Sequence, residues 1–203
     1  VDALAGGRVR VIRQSNKGLS EARNEGVRQA TGNWILPLDA DDTVDPRFVE
    51  LSLAAAERDP TLSMVTSLMA CFRREPAAPE VAYVPLGGCA EAQPVCNVAG
   101  SAVALIRREA LLEVGCYDRE FAAYEDWDVW CGLVERGRGI AVIPEMLILN
   151  RMRDESMLRS LSLPAQHTAR AGLVAKHPAL LAASPRATRI MLGESIHFQR
   201  LWR

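Results

Sequence analysis

The stretch that decides the fold reads Trp-Ile-Leu-Pro-Leu-Asp-Ala-Asp-Asp at residues 34–42. Its apolar half predicts a buried strand, and three carboxylates follow where that strand would run out into a loop. Carboxylates this close repel one another, and their removal from water is costly unless a positive group compensates. Because Mg²⁺ and Mn²⁺ favour one or two carboxylates together with phosphate oxygens, the pattern predicts a metal–diphosphate site. Taken alone, the stretch fits equally well a solvated acidic turn that caps the next helix.

Two further runs flank this stretch. The upstream run, residues 16–26, reads Asn-Lys-Gly-Leu-Ser-Glu-Ala-Arg-Asn-Glu-Gly, and the downstream run, residues 124–130, reads Tyr-Glu-Asp-Trp-Asp-Val-Trp. In this order and spacing the three runs resemble the inverting glycosyltransferases of family 2, which have the GT-A fold. The resemblance covers residues 8 to 155 approximately. It implies an α/β domain with a Rossmann-like, mostly parallel sheet flanked by helices.

The resemblance also implies roles for the acidic loop. Asp41 would bind Mn²⁺ or Mg²⁺ directly, and Asp39 would assist through the ribose of the donor or a metal-bound water. Asp42 would order the loop or cap the following helix. Ligands in open α/β sheets bind beyond the carboxyl ends of the strands, which is where the strand 34–38 delivers this loop.

Glu125 and Asp126 begin a predicted helix. The positive end of a helix dipole and its free N–H groups favour an ionised carboxylate, and an ionised acid can take a proton from a sugar hydroxyl. The resemblance assigns that role to Asp126, with Glu125 aiding contact with the acceptor. The alternative is that these acids, with Asp128, only cap and charge the first turn. We expect Trp127 to pack this helix into the core, although its position also makes it a candidate for sugar contact.

Other candidate substrate-binding residues follow from the resemblance or from local composition. Relatives have a run after the last strand in which a His can complete the metal site, whereas this chain has Asn-Arg-Met-Arg at residues 150–153. Arg cannot ligate a metal but can pair with phosphate oxygens. Gly100 lies in a patch of small residues that lets the backbone approach a ligand closely. The full set is Asn16, Lys17, Arg23, Asn24, Gly100, Trp127, Arg151 and Arg153.

Periodicity and turn residues predict the elements. We expect strands at 9–13, 34–38, 62–72, 81–86, 140–144 and 146–150, and helices at 19–30, 45–58, 107–114 and 125–136. Residues 1–155 would form the catalytic domain, and residues 156–203 a C-terminal extension of two or three helices. His167, His177 and His197 all fall in that extension, where we expect surface or packing roles.

The chain begins abruptly for this family. Relatives have a first strand and an acidic Asp-Gly-Ser stretch that hold the base and ribose of the donor, and neither precedes the strand 9–13. We therefore expect an N-terminally truncated domain that lacks the first β-α-β portion. Such a piece would be inactive alone, and the open strand edge would promote association.

Composition excludes several classes of protein. The chain of 203 residues has 49% apolar and 24% charged residues and a net charge of −1, which is typical of a globular domain. It has no basic block, so nucleic-acid binding is not expected. Because no apolar run approaches membrane-spanning length and five cysteines lie scattered without a Cys-x-x-Cys pair, we expect a cytoplasmic protein with reduced thiols. Peripheral association with the inner face of the membrane stays open.

The sequence therefore predicts transfer of a single sugar, since the Gln-x-x-Arg-Trp motif of processive synthases is absent. A nucleoside diphosphate sugar, with a UDP-sugar favoured, would be the donor, and a saccharide or lipid-linked molecule the acceptor. One alternative is a non-catalytic fragment or binding module without the donor pocket. A second is a metal-dependent nucleotidyltransferase, although no Gly-rich phosphate loop is visible.

Overall fold

The computed structural model describes residues 9–76, 78–121, 123–153 and 161–184. Within these ranges a sheet has the order β1-β5-β3-β6-β2, with β4 paired to the far half of β3. The strands are β1 (Trp34–Ile35), β2 (Thr43–Val44), β3 (Leu62–Phe72), β4 (Val81–Tyr83), β5 (Leu105–Arg107) and β6 (Gly139–Arg151). The helices are α1 (Leu19–Gln29), α2 (Phe48–Arg58), α3 (Arg108–Glu113), α4 (Glu125–Glu135), α5 (Leu163–Lys176) and α6 (Pro178–Ala183).

The centre of the sheet is the parallel pair β3 and β6. β3 is buried along almost its whole length, as its continuous apolar sequence predicted. β6 is a single strand where the sequence predicted two, 140–144 and 146–150. The register shifts between Ser67 and Leu68, and the facing residues Pro144 and Glu145 bulge out of the ladder. Proline cannot donate a ladder hydrogen bond, so a bulge is where a strand tolerates it.

The alternation of strands and helices is confirmed, but the expectation of a mostly parallel sheet is wrong for the described part. Only β3 and β6 pair in parallel there, and the other four pairings are antiparallel. The strands responsible include β2 and β5, which the sequence did not predict. Strands of two or three residues are too short to show an apolar period.

The predicted strand at 9–13 is also wrong. Residues 9–18 have no regular structure, and Val9, Val11 and Ile12 are 51%, 45% and 41% exposed. The predicted strand 34–38 shortens to β1, because Pro37 lacks the N–H that a longer ladder needs. In the described part of the chain β1 pairs with β5 alone, so β1 forms one edge of the sheet.

Helices cover both faces of the sheet. On one face α1, α3 and α4 pack Val27, Leu111 and Trp130 against Met64 and Ile106. On the other face α2 packs Phe48 against Met69 and Ile148. The helix predicted at 45–58 begins at Phe48, because Asp45 instead closes a turn by accepting hydrogen bonds from the N–H groups of Arg47 and Phe48.

The region predicted as a helical extension contains α5 and α6 in its described residues. They pack Leu173 and Leu180 against Phe121, Trp127 and Cys131, so this part of the chain contacts α4. The boundary at residue 155 stays a prediction. His197, the side chain of His167 and the expectations for residues 1–8 lie outside what the structure describes. Within the described ranges, every helix is too short or too polar to cross a bilayer.

Candidate functional site

Arg23 joins the three runs that the sequence analysis singled out. It lies on α1, and its Nη1 donates to Oε1 of Glu125 at 2.6 Å, at the start of α4. Its Nη2 donates to both carboxylate oxygens of Asp39 at 3.0 and 3.3 Å, in the acidic loop after β1. One guanidinium therefore holds together residues that are up to 102 positions apart in the chain.

This ion pair is largely withdrawn from water. The side chains of Arg23 and Glu125 are 9% and 6% exposed, whereas that of Asp39 is 44% exposed. Burial acts to lower the pKa of Arg23, but the charges of Asp39 and Glu125 outweigh it and hold that pKa above its ordinary value. The guanidinium also lies 5.4 Å from the centre of the Tyr117 ring, a cation–π contact. Removal of one partner would leave the other without its counter-charge in a buried position.

The neighbouring residue Asn24 fixes α1 in the position that this contact needs. Its amide Nδ2 donates to the carbonyl of Tyr117 at 2.7 Å, and its Oδ1 accepts from the N–H of Tyr117 at 2.9 Å. Ser20 adds a hydrogen bond to the carbonyl of Asp118 at 3.1 Å. Asn24 is buried, so the structure gives it a packing role in place of the predicted substrate contact.

Asp126 is the residue whose acidity is most changed. Its burial, and then the charge of Glu125, raise its pKa to about 7, while Arg23 acts in the opposite direction. Its Oδ1 accepts a hydrogen bond from the N–H of Trp127 at 2.7 Å. The expectation that the helix start keeps this acid ionised is therefore wrong below about pH 7, because desolvation outweighs the helix dipole. An acid that titrates near neutral pH suits general-base work.

The backbone just before this acid is strained. Tyr124, the N-cap of α4, has a φ of 76°, in the left-handed region that non-glycine residues rarely adopt. Its ring meets Trp127 edge-on with centroids 5.4 Å apart, and Arg170 of α5 lies 5.9 Å from each ring centre. Strain of this kind persists only where surrounding contacts hold it. The contacts from α5 therefore help to set the direction in which α4 begins.

The acidic loop is held by the end of β6. Asp42 is buried, and it accepts hydrogen bonds from Nδ2 of Asn150 at 2.9 and 3.0 Å and from the N–H of Arg151 at 3.0 Å. Burial raises the pKa of Asp42. This placement agrees with the expectation that Asp42 orders the loop. Asp41 forms an ion pair with Arg153 at 2.8 Å, so the Arg that replaces the family's His faces the predicted metal ligand.

The described residues contain no group of three or more Asp, Glu, His or Cys side chains that could hold a metal ion. Asp39 and Asp41 each face a guanidinium instead. A divalent ion bound by one or two carboxylates takes its other ligands from phosphate and water. The residues present therefore fit a metal only together with a diphosphate, with Asp41 as the protein ligand and Asp39 beside it.

The remaining candidates are Asn16, Lys17 and Arg151. Asn16 accepts a hydrogen bond from the N–H of Gly18 at 3.1 Å in the loop before α1, where Lys17 is exposed. The guanidinium of Arg151 lies 4.8 Å from the centre of the Phe72 ring.

Gly100 and Trp127 contribute to the packing of the core. Gly100 has a φ of 123°, its carbonyl accepts from Nε1 of Trp130, and a Cβ there would lie 3.4 Å from Oγ1 of Thr66. The close approach at Gly100 is thus to Thr66. Trp127 is 2% exposed, and its Nε1 donates to the carbonyl of Gln93 at 2.7 Å. As expected, Trp127 packs α4 into the core, and this replaces the predicted sugar contact.

Sequence reasoning missed Tyr117. It is 1% exposed, its ring lies against the guanidinium of Arg23, and its hydroxyl has no hydrogen-bond partner among the described residues. It also lines an apolar groove of about 530 Å³ between α1 and the segment 34–40. No spacing rule links Tyr117 to the three motifs, so only the fold could reveal it.

Comparison with known proteins agrees with this geometry. The model of the Glycosyl transferase family 2 matches residues 1–114. A glycosyltransferase of Haemophilus influenzae described as uncharacterized is 29% identical over 137 residues, which cover 63% of this chain and 45% of that protein. The poly-beta-1,6-N-acetyl-D-glucosamine synthase of Staphylococcus aureus is 27% identical over 138 residues, 64% of this chain and 33% of that protein. The chain thus spans less than half the length of these relatives.

The crystal structure of S. aureus TarS 1-349 in complex with UDP-GlcNAc superposes with a TM-score of 0.60. The match covers 88% of this chain and 55% of that one at 14% identity, so it shows a shared fold. Together with the family match, it confirms the GT-A fold expected from the sequence.

The raised pKa of Asp126 makes stability depend on pH. The folded state binds more protons than the unfolded state between about pH 4, where a free Asp titrates, and about pH 7. The free energy of unfolding therefore falls as pH rises through this window. Asp126→Asn removes the effect, and urea denaturation at pH 8 should show this variant about 1–3 kcal/mol more stable than the parent.

Asp59→Asn is the matched control. The side-chain and backbone hydrogen bonds from Thr61 lower the pKa of Asp59, so its substitution should reduce stability at pH 8. An Asp126→Asn variant that is less stable than the parent at pH 8 would contradict the raised pKa.

Proposed function

The chain belongs to glycosyltransferase family 2, and we propose that it transfers one sugar, with inversion, from a nucleoside diphosphate donor to a saccharide or lipid-linked acceptor. The observation that carries the proposal is the position of Asp126, which titrates near pH 7 and adjoins Glu125, itself tied to the acidic loop through Arg23. An acid of neutral pKa and a loop of carboxylates are what the acceptor side and the donor side of such a transfer need.

The proposed reaction is a direct displacement. The acceptor hydroxyl oxygen forms a bond to the anomeric carbon as the bond from that carbon to the diphosphate oxygen breaks. The hydroxyl proton passes to the carboxylate of Asp126, and the nucleoside diphosphate leaves with the bonding electrons. Glu125, beside Arg23, orients the acceptor, because a carboxylate can accept hydrogen bonds from sugar hydroxyls.

The leaving diphosphate is bound at the acidic loop. A bound Mn²⁺ or Mg²⁺ would neutralise its developing charge, with Asp41 as the protein ligand and Asp39 near the ribose. Arg153 already lies 2.8 Å from Asp41 and can pair with a phosphate oxygen when the donor arrives. The pair of Asp41 and Arg153 therefore makes donor binding depend on a metal only in part.

A UDP-sugar is the favoured donor. The support is the fold shared with TarS, whose structure contains UDP-GlcNAc. Two relatives are named as polysaccharide synthases, one of chondroitin and one of poly-beta-1,6-N-acetyl-D-glucosamine, which favours a growing polysaccharide as the acceptor. The chondroitin synthase of Escherichia coli among them is 45% identical over only 58 residues, 29% of this chain and 8% of that protein.

Asp126→Asn tests the base. The amide keeps the acceptor atom that Trp127 uses but cannot take a proton, so the rate of sugar transfer should fall by roughly 10²–10⁴-fold. In the parent the rate should rise as pH rises through about 7, because Asp126 must be ionised to act. The measurement is transfer from a radiolabelled UDP-sugar across pH 5 to 9, with UDP affinity followed in parallel by calorimetry.

Asp45→Asn provides the control, since Asp45 is an acid paired with Arg47 at the start of α2. Near-normal transfer by Asp126→Asn would move the base elsewhere, with Glu125 the next residue to test. UDP-sugar binding without transfer in the parent would instead favour the binding-module alternative.

A second experiment separates the contribution of a metal ion to donor binding at the acidic loop from that of the Arg153 guanidinium. Asp41→Ala should abolish the part of UDP affinity that Mn²⁺ adds, because the ion loses its protein ligand. Arg153→Met should weaken UDP binding in EDTA. The control is Arg138→Met, which removes an Arg paired with Glu113 on α3. It should change neither UDP binding in EDTA nor the affinity that Mn²⁺ adds. Mn²⁺-dependent binding that survives in Asp41→Ala, measured by titration calorimetry, would rule out the metal role of this residue.

A further inference from the structure

A second charged cluster joins α4 to the junction of α5 and α6. His177, at the junction of α5 and α6, is 5% exposed. Its Nε2 lies 2.9 Å from Oδ1 of Asp128, and its Nδ1 lies 3.0 Å from Oε2 of Glu135. Both acids belong to α4, so the junction of two later helices is joined to α4 at its first turn and at its last residue.

The geometry fixes the charge of this histidine. An ionised carboxylate only accepts hydrogen bonds, and a neutral imidazole has a single N–H donor. Two ring nitrogens that face two ionised carboxylates can both donate only in the imidazolium form. Burial acts to lower the pKa of His177, but its hydrogen bonds to Asp128 and Glu135 outweigh burial and raise that pKa above its ordinary value.

Lys176 completes the cluster. Its Nζ donates to Oδ2 of Asp128 at 2.8 Å and to Oδ2 of Asp118 at 2.7 Å, in the loop before α4. Asp128 is 3% exposed at its side chain, and its two oxygens are divided between His177 and Lys176. Among the described residues, Asp128 and Glu135 of α4 contact the imidazole, and Lys176 of α5 links Asp128 to Asp118 of the loop.

This cluster acts on the same turn that carries the proposed base. Asp128 is two residues from Asp126, and its N–H donates to the carbonyl of the strained Tyr124 at 2.9 Å. Arg170 of α5 covers the rings of Tyr124 and Trp127. The first turn of α4 is therefore held both by Arg23 of α1 and by groups of α5 and of its junction with α6.

We propose that His177 and Lys176 are positioning residues, which fix Asp128 and thereby orient the first turn of α4 so that Asp126 meets the acceptor hydroxyl. The inference rests on the proposed role of Asp126 as the general base. Neither residue touches substrate, and their effect passes through Asp128.

The charge of His177 gives this positioning a pH dependence. Its contribution is complete below the ordinary histidine pKa of about 6.5 and is lost as pH rises through the higher pKa of the folded protein. A neutral imidazole would present a lone pair to one of the carboxylates, and the contact would loosen. The rate of transfer should thus rise with the ionisation of Asp126 and fall again at higher pH as His177 loses its proton.

The test compares His177→Gln, Lys176→Met and Lys176→Arg with Ala175→Ser, a control at an exposed position of the same helix. Hydrogen–deuterium exchange reports on residues 124–131, and steady-state kinetics separates kcat from KM. We expect amide exchange in this segment to be about tenfold faster in His177→Gln and Lys176→Met. Their kcat should fall roughly 10- to 100-fold, the cost of a small misplacement, with the donor KM nearly unchanged.

Two readouts separate positioning from general packing. The alkaline fall in rate should disappear in His177→Gln, and Lys176→Arg should restore the kcat that Lys176→Met loses, because Arg keeps the charge and reach. Unchanged exchange in residues 124–131 and an unchanged pH profile in both loss variants would overturn the inference. If His177→Gln fails to fold, the pair Lys176→Met and Lys176→Arg decides the question.

The exchange measurement also keeps this inference distinct from the proposed function. A parent protein that transfers no sugar from any nucleotide donor would contradict the proposed function. Faster exchange at the first turn of α4 would still support the structural link, and unchanged exchange would contradict it.

Discussion

The candidate site depends on one constraint, the neutralisation of buried Glu125 by Arg23. The cost of taking two such charges out of water is offset only when both are present and well aligned. The 2.6 Å contact and the low exposure of both side chains meet that condition. Because the same guanidinium also holds Asp39, a single side chain links the acidic loop to the start of α4. The hydrogen bonds of Asn24 to Tyr117 place α1 so that Arg23 can do this.

Once this pair is formed, the two acids at the start of α4 differ in what they can do. Glu125 has a cation beside it, whereas burial and the charge of Glu125 raise the pKa of Asp126 to about 7. Neighbouring carboxylates in different surroundings are how proteins divide acid and base roles at neutral pH. Moving the cation from Glu125 to Asp126 would reverse the assignment. The division of roles thus follows from which of the two side chains points towards Arg23.

The sequence predicted the elements that have an extended apolar pattern or that contain one of the motifs. β3, α1 and α4 appear close to where their apolar patterns placed them. It failed at 9–13, where an alternating apolar run forms no strand, and at β2 and β5, which are too short to leave a period. Arg23, Asp39 and Glu125 belong to the three motifs, and the structure brings them into contact, an arrangement that periodicity alone does not predict.

What the sequence could not supply were properties that arise from burial. The pKa of Asp126 depends on how much water reaches it, and the partners of His177 lie 42 and 49 positions away on another helix. Asn24 and Trp127 were candidates for substrate contact, yet their polar atoms are used by backbone groups of the core. A motif indicates that a residue matters at its position, but only the packing shows which neighbouring groups its polar atoms contact.

The most direct test of this account is the coupling free energy between Arg23 and Glu125, measured by urea denaturation of the parent, Arg23→Met, Glu125→Gln and the double variant. Arg23→Met alone should lower the free energy of unfolding by about 3–5 kcal/mol, because it leaves a buried carboxylate unpaired. The double variant should recover part of that loss, with a coupling of about 1–3 kcal/mol. A coupling within about 0.5 kcal/mol of zero would contradict the claim that this pair organises the site.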